Sequence, residues 1–577
     1  MIVFISTLVN QTVTAPALQF LHRISSLLAI SCGLFLLARF FTLLPLQGQA
    51  TSSHPLIKLL ADQRRGPRAA ALMLFAATAL DLARILVLVH GAGAMSMDFP
   101  IFHESLLNLA NQGRLINSIQ YIEIFGIEKY ARNAPIGLPT LAFHQNFILY
   151  IFWPLYRFVP EPHVILQMVP TVCIAISAGL VYLIVKRRTA NLLYAFCAMC
   201  VFPLLPGMQA AQLGFFPDIF AIPLLLAHVY FQHNARIKWS LLALASLALV
   251  RENYFMITMF IGLYQIIKAP SRKTGLVIIG LALGQFAFSF ILVKGVFFPA
   301  VDDVSVFNIF PAFAGTTVLE KMLSIIANPL QVMHSLLGPA GLWYYFIMLL
   351  PFLPWLARSA WTLVALPLLG IIALSGLPYA IDFRSHHSWP IVLILFLGWL
   401  DATTRQAESP VTQNMLWYFK RLAWIGSVNV LFLGVTQSSE MAWLRNMKLV
   451  SGTTVPGFQA RRRAFLQIQR ITDTIPADHQ IAVPLPEYAR FIYLHKKIRI
   501  FPARLDDLNW IVTADWITAP NAATNLGGAP REELELRKLT RQFHEQAGLA
   551  TWRRVQSVEL PIFNRKITLL EKPGTDP

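Results

Sequence analysis

Residues 144–188 read HQNFILYIFWPLYRFVPEPHVILQMVPTVCIAISAGLVYLIVKRR. Their second part, 163–186, is an apolar run that stops at Lys186, Arg187 and Arg188, and about 20 such residues suffice to cross a bilayer as a helix. The first part, 144–160, is apolar enough to be a span as well, and that choice sets the side on which the neighbouring loops lie. Basic clusters stand at RRGPR (64–68), KRR (186–188), HNARIK (233–238) and KAPSRK (268–273), each at the end of an apolar run. The positive-inside tendency puts all four in the cytoplasm. If 144–160 spanned, KRR would face outward. It therefore reads as an interfacial or re-entrant helix, whose Phe152, Trp153, Tyr156 and Phe158 suit the headgroup region.

Working outward, further spans fall near 24–45, 69–92, 190–206, 216–233, 239–251, 253–268, 275–297, 341–357, 360–379, 388–401 and 420–437. The expected fold class is thus mainly α, a polytopic membrane protein of about 12 transmembrane helices. Composition agrees: of 577 residues 56% are hydrophobic and 13% charged, against about 25% charged in a soluble domain, and mean hydropathy is +0.56. The net charge of +18 follows span ends, not a basic face with interleaved aromatics, so nucleic acid is not an expected partner. Cys32, Cys173, Cys197 and Cys200 all lie in apolar segments and read as buried thiols, not zinc or redox centres. The first residues lack the basic region and small-residue cleavage site of a removable signal peptide.

The expected organisation has three parts. Residues 1–68 hold an additional span and a cytoplasmic loop, and 69–437 a transmembrane domain with a large outer loop over 93–162. Residues 438–577 change character: QIAVPL, KIRIF, NWIVTAD and KITLLEK alternate with helix-like stretches such as REELELRKLTRQFHEQAG. They predict a small soluble α/β domain, outside the membrane by parity, although Arg461, Arg462 and Arg463 favour the other side. Within 239–268, Arg251 and Glu252 interrupt an apolar stretch that has bases at both ends. Two short helices would carry that pair to or near the outer face, whereas one span would bury it at mid-membrane, at a cost.

This topology gathers polar residues on the outer side. The first loop brings Asp98, His103, Glu104 and His144, and the turn GFFPDIF brings Asp218. The broken helix brings Arg251 and Glu252, and PYAIDFRSHHSW brings Tyr379, Asp382, Arg384, His386 and His387. Ionisable residues at membrane depth are functional candidates because lipid penalises idle ones. Plainer roles exist for each. Asp98 and Asp218 are placed to cap helices that begin at Pro100 and Pro217. His103 and Glu104 fit a solvated helix face, Arg251 and Glu252 can neutralise each other, and adjacent His386 and His387 lack the i, i+4 spacing of a helical metal pair. No metal-ligand set is expected, although a divalent cation, magnesium or manganese, would suit a phosphate group here. A carboxylate beside cations and imidazoles can deprotonate an acceptor hydroxyl while a departing phosphate is held.

An outer acid just after an early span, followed by an interfacial helix and WPLYRFVPEPHVILQMVPTVCIAISAGLVYLIVKRR, resembles the GT-C superfold of integral membrane glycosyltransferases. A bacterial family of predicted membrane proteins of unknown function is more closely similar. The likeness lies in MDFPIFHESLLNLANQGRL, FHQNFILYIFWPLYRFVPEP, LGFFPDIFAIPLLL, LALVRENYFMITMFIGLY, SHHSWPIVLILFLGWL and IPADHQIAVPLPEYARFIYLHKKIRIFP, from about residue 95 to 515. The resemblance implies that Asp98 matches the catalytic-loop acid of GT-C enzymes and that His144, Asp218, Arg251 and Glu252 match polar positions of the second family. This chain departs from that family in His103-Glu104, where an acid usually follows the phenylalanine. It also departs in Arg251, usually lysine, and near Asp218, usually histidine.

The expected function is transfer of a sugar from a polyprenyl-phosphate carrier to a periplasmic glycan, lipid or protein, in a bacterial inner membrane. Asp98 would be the general base or the acid that orients the acceptor, Arg251 with His144, Arg384 or His386 the phosphate site, Glu252 the group orienting Arg251, and Asp218 a further binding residue. The alternatives are a transporter or flippase of a lipid-linked or anionic substrate, and a non-catalytic membrane scaffold. Against the first, only one interrupted helix pair is visible and no symmetric mate accompanies it.

Overall fold

A computed structural model of the chain describes residues 59–60, 62–92, 99–117, 138–205, 207–212, 214–268, 272–297, 310, 312–315, 318–356, 358–375, 386–405, 467–468, 470–476, 479, 481–484, 498–501, 510–516, 553–560 and 565–572. Those residues are mainly helical. α1 (Gly66–Ala92) is followed by α2 (Phe99–Gln112) and the paired two-residue strands β1 (Ile116–Asn117) and β2 (Leu138–Pro139). A 3-10 turn over Phe147–Phe152 runs into α3 (Trp153–Phe158), then α4 (Pro162–Thr189) and α5 (Leu192–Val201). α6 (Ala221–His233), α7 (Ile237–Val250), α8 (Tyr254–Lys268) and α9 (Arg272–Phe286) follow, the last continuing as a π-helix over Ala287–Phe297. Then come α10 (Val318–Ala327), α11 (Pro329–Leu337), α12 (Pro339–Leu349), α13 (Trp361–Ser375) and α14 (Trp389–Arg405).

Three described helical stretches, Gly66–Ala83, Pro162–Thr189 and Arg272–Phe297, are long and apolar enough to cross a membrane by length and composition. Shorter apolar helices include Ile237–Val250, Tyr254–Ile267, Trp361–Ser375 and Trp389–Thr404. The expected spans near 24–45 and 420–437 lie outside the described residues. Segment 144–160 forms the 3-10 turn and the six-residue α3, which ends at Val159 in extended backbone, ahead of Pro160. Proline disfavours helix at the residue before it. That stretch is too short to span.

α4 begins with Pro162 in its first turn, where a missing N–H costs nothing. It ends at Ala190, which takes a left-handed conformation (φ 52°) and donates its N–H to the Lys186 carbonyl. Lys186, Arg187 and Arg188 occupy the last turn, where cations meet the negative end of the helix dipole. Arg188 then reaches sideways. It donates to Thr404 Oγ1 at 3.0 Å, stands 3.5 Å from Asp401, and donates to His233 Nε2. Ser359 Oγ donates to the other Asp401 oxygen at 3.1 Å. This knot ties α4, α6 and α14 at their basic ends.

A large apolar core runs through α4 to α8 and α12 to α14, with Trp389, Phe202, Phe396 and Trp399 fully buried. α2 builds a second core. Phe99, Phe102, Leu106 and Leu109 recur at helical spacing and pack on Leu149, Phe152, Tyr156, Leu166 and Phe215. His103 belongs to it: the ring is buried, its Nδ1 lies 2.8 Å from the Tyr156 hydroxyl, and His163 stands edge-on at 5.6 Å. The expectation of a solvated His103 is therefore corrected. α2 docks by the face that carries this imidazole, and a tyrosine partner meets the hydrogen-bonding requirement of a buried ring.

α8 and α9 approach each other at two glycines. A Cβ on Gly262 would meet Ile279 Cγ1 at 2.7 Å, and one on Gly275 would meet the Gly262 carbonyl at 2.8 Å. Small residues of this kind let helix backbones touch in membranes. Towards the C-terminus, β3 (Ile481–Pro484), β4 (Ile498–Phe501), β5 (Trp510–Trp516), β6 (Arg553–Leu560) and β7 (Arg565–Glu571) make one mixed sheet in the order β4-β3-β5-β7-β6. β3 is parallel to β4 and β5, while β7 is antiparallel to β5 and β6.

Candidate functional site

Three breaks between helices supply the site. The extended residue His144 follows a short helix over Thr140–Phe143 and precedes the 3-10 turn. Arg251 terminates α7 with extended backbone (φ −165°, ψ 148°), and Glu252 and Asn253 turn the chain into α8. Asp218 lies in the 3-10 turn Pro217–Phe220 that starts α6. Phe216, the residue before that turn, makes no side-chain capping bond, and the Asp218 carboxylate points to tertiary partners instead.

Arg251 is buried and holds these breaks together. One terminal nitrogen stands 3.3 and 3.4 Å from the two Asp218 oxygens, and the other donates to His144 Nε2 at 2.9 Å. His144 Nδ1 meets Glu252 Oε1 at 2.9 Å. The second Glu252 oxygen accepts the Gln145 backbone N–H at 3.0 Å. The Tyr254 hydroxyl donates to Asp218 at 2.9 Å. An arginine only donates, so its contact requires a lone pair on His144 Nε2. The proton then sits on Nδ1 and is given to Glu252, a tautomer assigned from its partners. Arg251 and Glu252 do not simply neutralise each other, since each turns to partners more than thirty positions away.

His386 joins the group through aromatic packing. It stacks on Phe216 at 4.4 Å with planes 18° apart, and lies 4.0 Å from the His387 ring. Loss of water contact, then the neighbouring Arg251 and His144, hold the His386 imidazole well below the usual histidine range. His387 is lowered by burial, His386, Arg251 and His144, against a smaller opposing pull from Asp218. A histidine lowered in the folded state contributes stability above the unfolded value of about 6.5. That contribution is lost as pH falls, because the unfolded chain then binds protons the folded chain refuses. The melting temperature of the purified protein is expected to drop between about pH 7.5 and 5. His386→Gln with His387→Gln should flatten that drop; an unchanged slope in scanning fluorimetry would remove these rings as its source.

The structure thus brings together five expected site residues, His144, Asp218, Arg251, Glu252 and His386. Asp98 and Arg384 lie outside the described residues, as do Tyr379 and Asp382. Among the described residues no three His, Cys, Asp or Glu side chains form a metal-holding group. Sequence reasoning missed Tyr254, Gln145 and Asn146. Asn146 Nδ2 donates to the Val250 carbonyl at 2.6 Å, and Gln145 Nε2 to the Ser289 carbonyl at 2.6 Å. A signal existed: all three lie within two positions of residues already singled out, in HQN and RENY.

No curated protein matches the chain. A family model described as Predicted membrane protein (DUF2079) matches residues 95–525, well over half of the chain and all of the segments that meet at Arg251. The chain accordingly belongs to that family of predicted membrane proteins.

Proposed function

We propose that the protein is a GT-C-type membrane glycosyltransferase that moves a sugar from a polyprenyl-phosphate carrier to an acceptor on the periplasmic side of a bacterial inner membrane. The observation that supports this reading is the buried knot of Arg251, His144, Asp218 and Glu252, drawn from three chain breaks. α7 and α8 have 14 and 15 residues, so at about 1.5 Å per residue they are shorter than a hydrocarbon core of ~30 Å. With Lys238 and Lys268 in the cytoplasm, their junction would lie below the outer surface, where a lipid phosphate would have to be drawn into the protein to meet it.

The proposed step balances. Asp98 takes the proton of an acceptor hydroxyl, and that oxygen bonds the anomeric carbon. The bond from that carbon to the phosphate oxygen breaks, and the lipid phosphate leaves with the electron pair. Arg251 meets the developing charge, held in place by Asp218 and His144. Arg384 or a divalent cation such as magnesium or manganese would share the charge of the phosphate. The sheet-bearing C-terminal segment would cover the site or choose the acceptor.

The test is binding of farnesyl phosphate against farnesol by full-length protein in nanodiscs, with magnesium and with chelator. Preference for the phosphate of about tenfold or more, lost in Arg251→Gln, supports the reading. Equal binding of the two lipids contradicts it. The broken pair α7–α8 also suits a translocation path, and a lipid-linked sugar moved across a vesicle membrane without transfer would favour that alternative.

A further inference from the structure

Of the four residues in the charged knot, His144 is the most exposed. Its side chain is 21% accessible, against 9% for Glu252 and 7% each for Arg251 and Asp218. It stands in extended backbone (φ −133°, ψ 133°) at the end of the short helix over Thr140–Phe143. The groups it touches are fixed from behind. Arg251 is held by both Asp218 oxygens, and Asp218 in turn by the Tyr254 hydroxyl. Glu252 is pinned through its second oxygen by the Gln145 N–H. A ligand approaching the knot therefore meets the imidazole first, and the ring can yield while the charges behind it stay in place.

The number of protons on that ring depends on what stands at its Nε2. As described, Nε2 accepts from Arg251 at 2.9 Å and Nδ1–H is given to Glu252 at 2.9 Å. The neutral ring satisfies both neighbours, whereas a second proton on Nε2 would set two cationic donors against each other. A phosphate oxygen reverses the requirement. Seated between Nε2 and the guanidinium, it accepts from both, about 2.8 Å from each nitrogen, and Nε2 must then carry a proton. The opening this takes, from 2.9 Å to about 5 Å between the nitrogens, is a swing of the exposed ring alone. Glu252 determines where the proton comes from. Moving the Nδ1 proton across the ring would turn a lone pair towards a carboxylate 2.9 Å away, so Nδ1 keeps its proton and Nε2 takes one from water.

We propose that the lipid phosphate binds with uptake of one proton at His144, which exchanges its direct contact with Arg251 for a phosphate oxygen shared between them. This rests on the reading of Arg251 as the lipid-phosphate site. In the loaded protein the imidazolium lies between two anions, Glu252 and the phosphate, and the phosphate between two cations. When the phosphate leaves, the proton returns to water and Arg251 closes again on Nε2. The loaded state holds the additional proton, so affinity rises as pH falls. The groups that face His144 are Arg251, Glu252, His386 and His387, with Asp218 behind Arg251. Two of these are histidines and could take the proton instead, so they are varied as well.

The test uses full-length protein in nanodiscs and methyl farnesyl phosphate. A diester keeps one charge throughout, unlike a monoester, whose second proton titrates near about pH 6. Calorimetry in buffers of different ionisation enthalpy is expected to show uptake of about one proton per lipid bound, with affinity rising about tenfold between about pH 8 and 6. His144→Gln sets an amide oxygen against Arg251 and an amide nitrogen against Glu252, the pattern of the neutral ring, and takes no proton. It should keep its melting temperature, bind the diester about tenfold more weakly at about pH 6, and show no uptake. Glu252→Gln can itself donate to Nδ1 once the ring proton moves to Nε2, so uptake should fall in that variant too. His386→Gln with His387→Gln should retain it. If the diester binds better than farnesol and the wild-type protein takes up no proton, the proposal is overturned and the phosphate site stands. The same holds if His144→Gln takes up as much as wild type, or if uptake vanishes with His386 and His387. If the diester binds no better than farnesol at any pH, the phosphate site falls and the proton uptake with it.

Discussion

Arg251→Met is expected to cost about 3–5 kcal/mol of folding stability, the penalty for leaving one partner of a buried ion pair without the other. Asp218 is buried, and the guanidinium beside it is what keeps that carboxylate tolerable there. Methionine matches much of the arginine stem but supplies no charge. Asp218→Asn in the same chain should recover a large part of the loss, since it removes the charge that Arg251 compensates. Arg251→Lys should stay folded and still fail to hold His144, because an ammonium cannot reach Asp218 and His144 from one planar fork. The readout is the fraction surviving as a monodisperse species after heating. Wild-type survival of Arg251→Met, or no recovery with Asp218→Asn, would mean that the knot is not what holds the three chain breaks together.

The second large effect concerns catalysis. Asp98→Asn is expected to lower sugar transfer by about 10²- to 10⁴-fold, the range for losing a general base. Asparagine keeps the shape and the helix-capping ability of Asp98 and loses only the basicity. Farnesyl phosphate binding should therefore be unchanged in that variant. Retained transfer would remove Asp98 from the mechanism, and loss of both transfer and binding would assign it to the lipid site. Glu252 serves as a contrast. It touches no reacting atom in the proposed step but orients His144 and the 144–146 loop, so Glu252→Gln is expected to weaken binding and transfer together.

Much of the architecture was legible in the chain. The break in 239–268 was read from Arg251 and Glu252 together with the bases at both ends of the stretch, because a charged pair at mid-membrane is costly within one apolar helix. Reading 144–160 as no span followed from Lys186, Arg187 and Arg188, whose side it would reverse, and the segment is a 3-10 turn with a six-residue helix. His103 was misjudged for a reason of geometry. Helical spacing shows that α2 has two faces, but not that the face bearing His103 closes over Tyr156 and His163.

Hydropathy by itself determined that this chain is a membrane protein, because the cost of placing each residue in lipid is local and nearly independent of its neighbours. It did not show the break after Leu349 within the expected span 341–357. Which acid meets which base was decided only by tertiary structure. The pairing of Arg251 with Asp218 and His144 joins positions 33 and 107 apart, and such pairing depends on how α6, α7 and the 144–146 loop pack. The position of the proton on His144 belongs to the same level. Which ring nitrogen donates is known only once the groups on either side of the ring are in place.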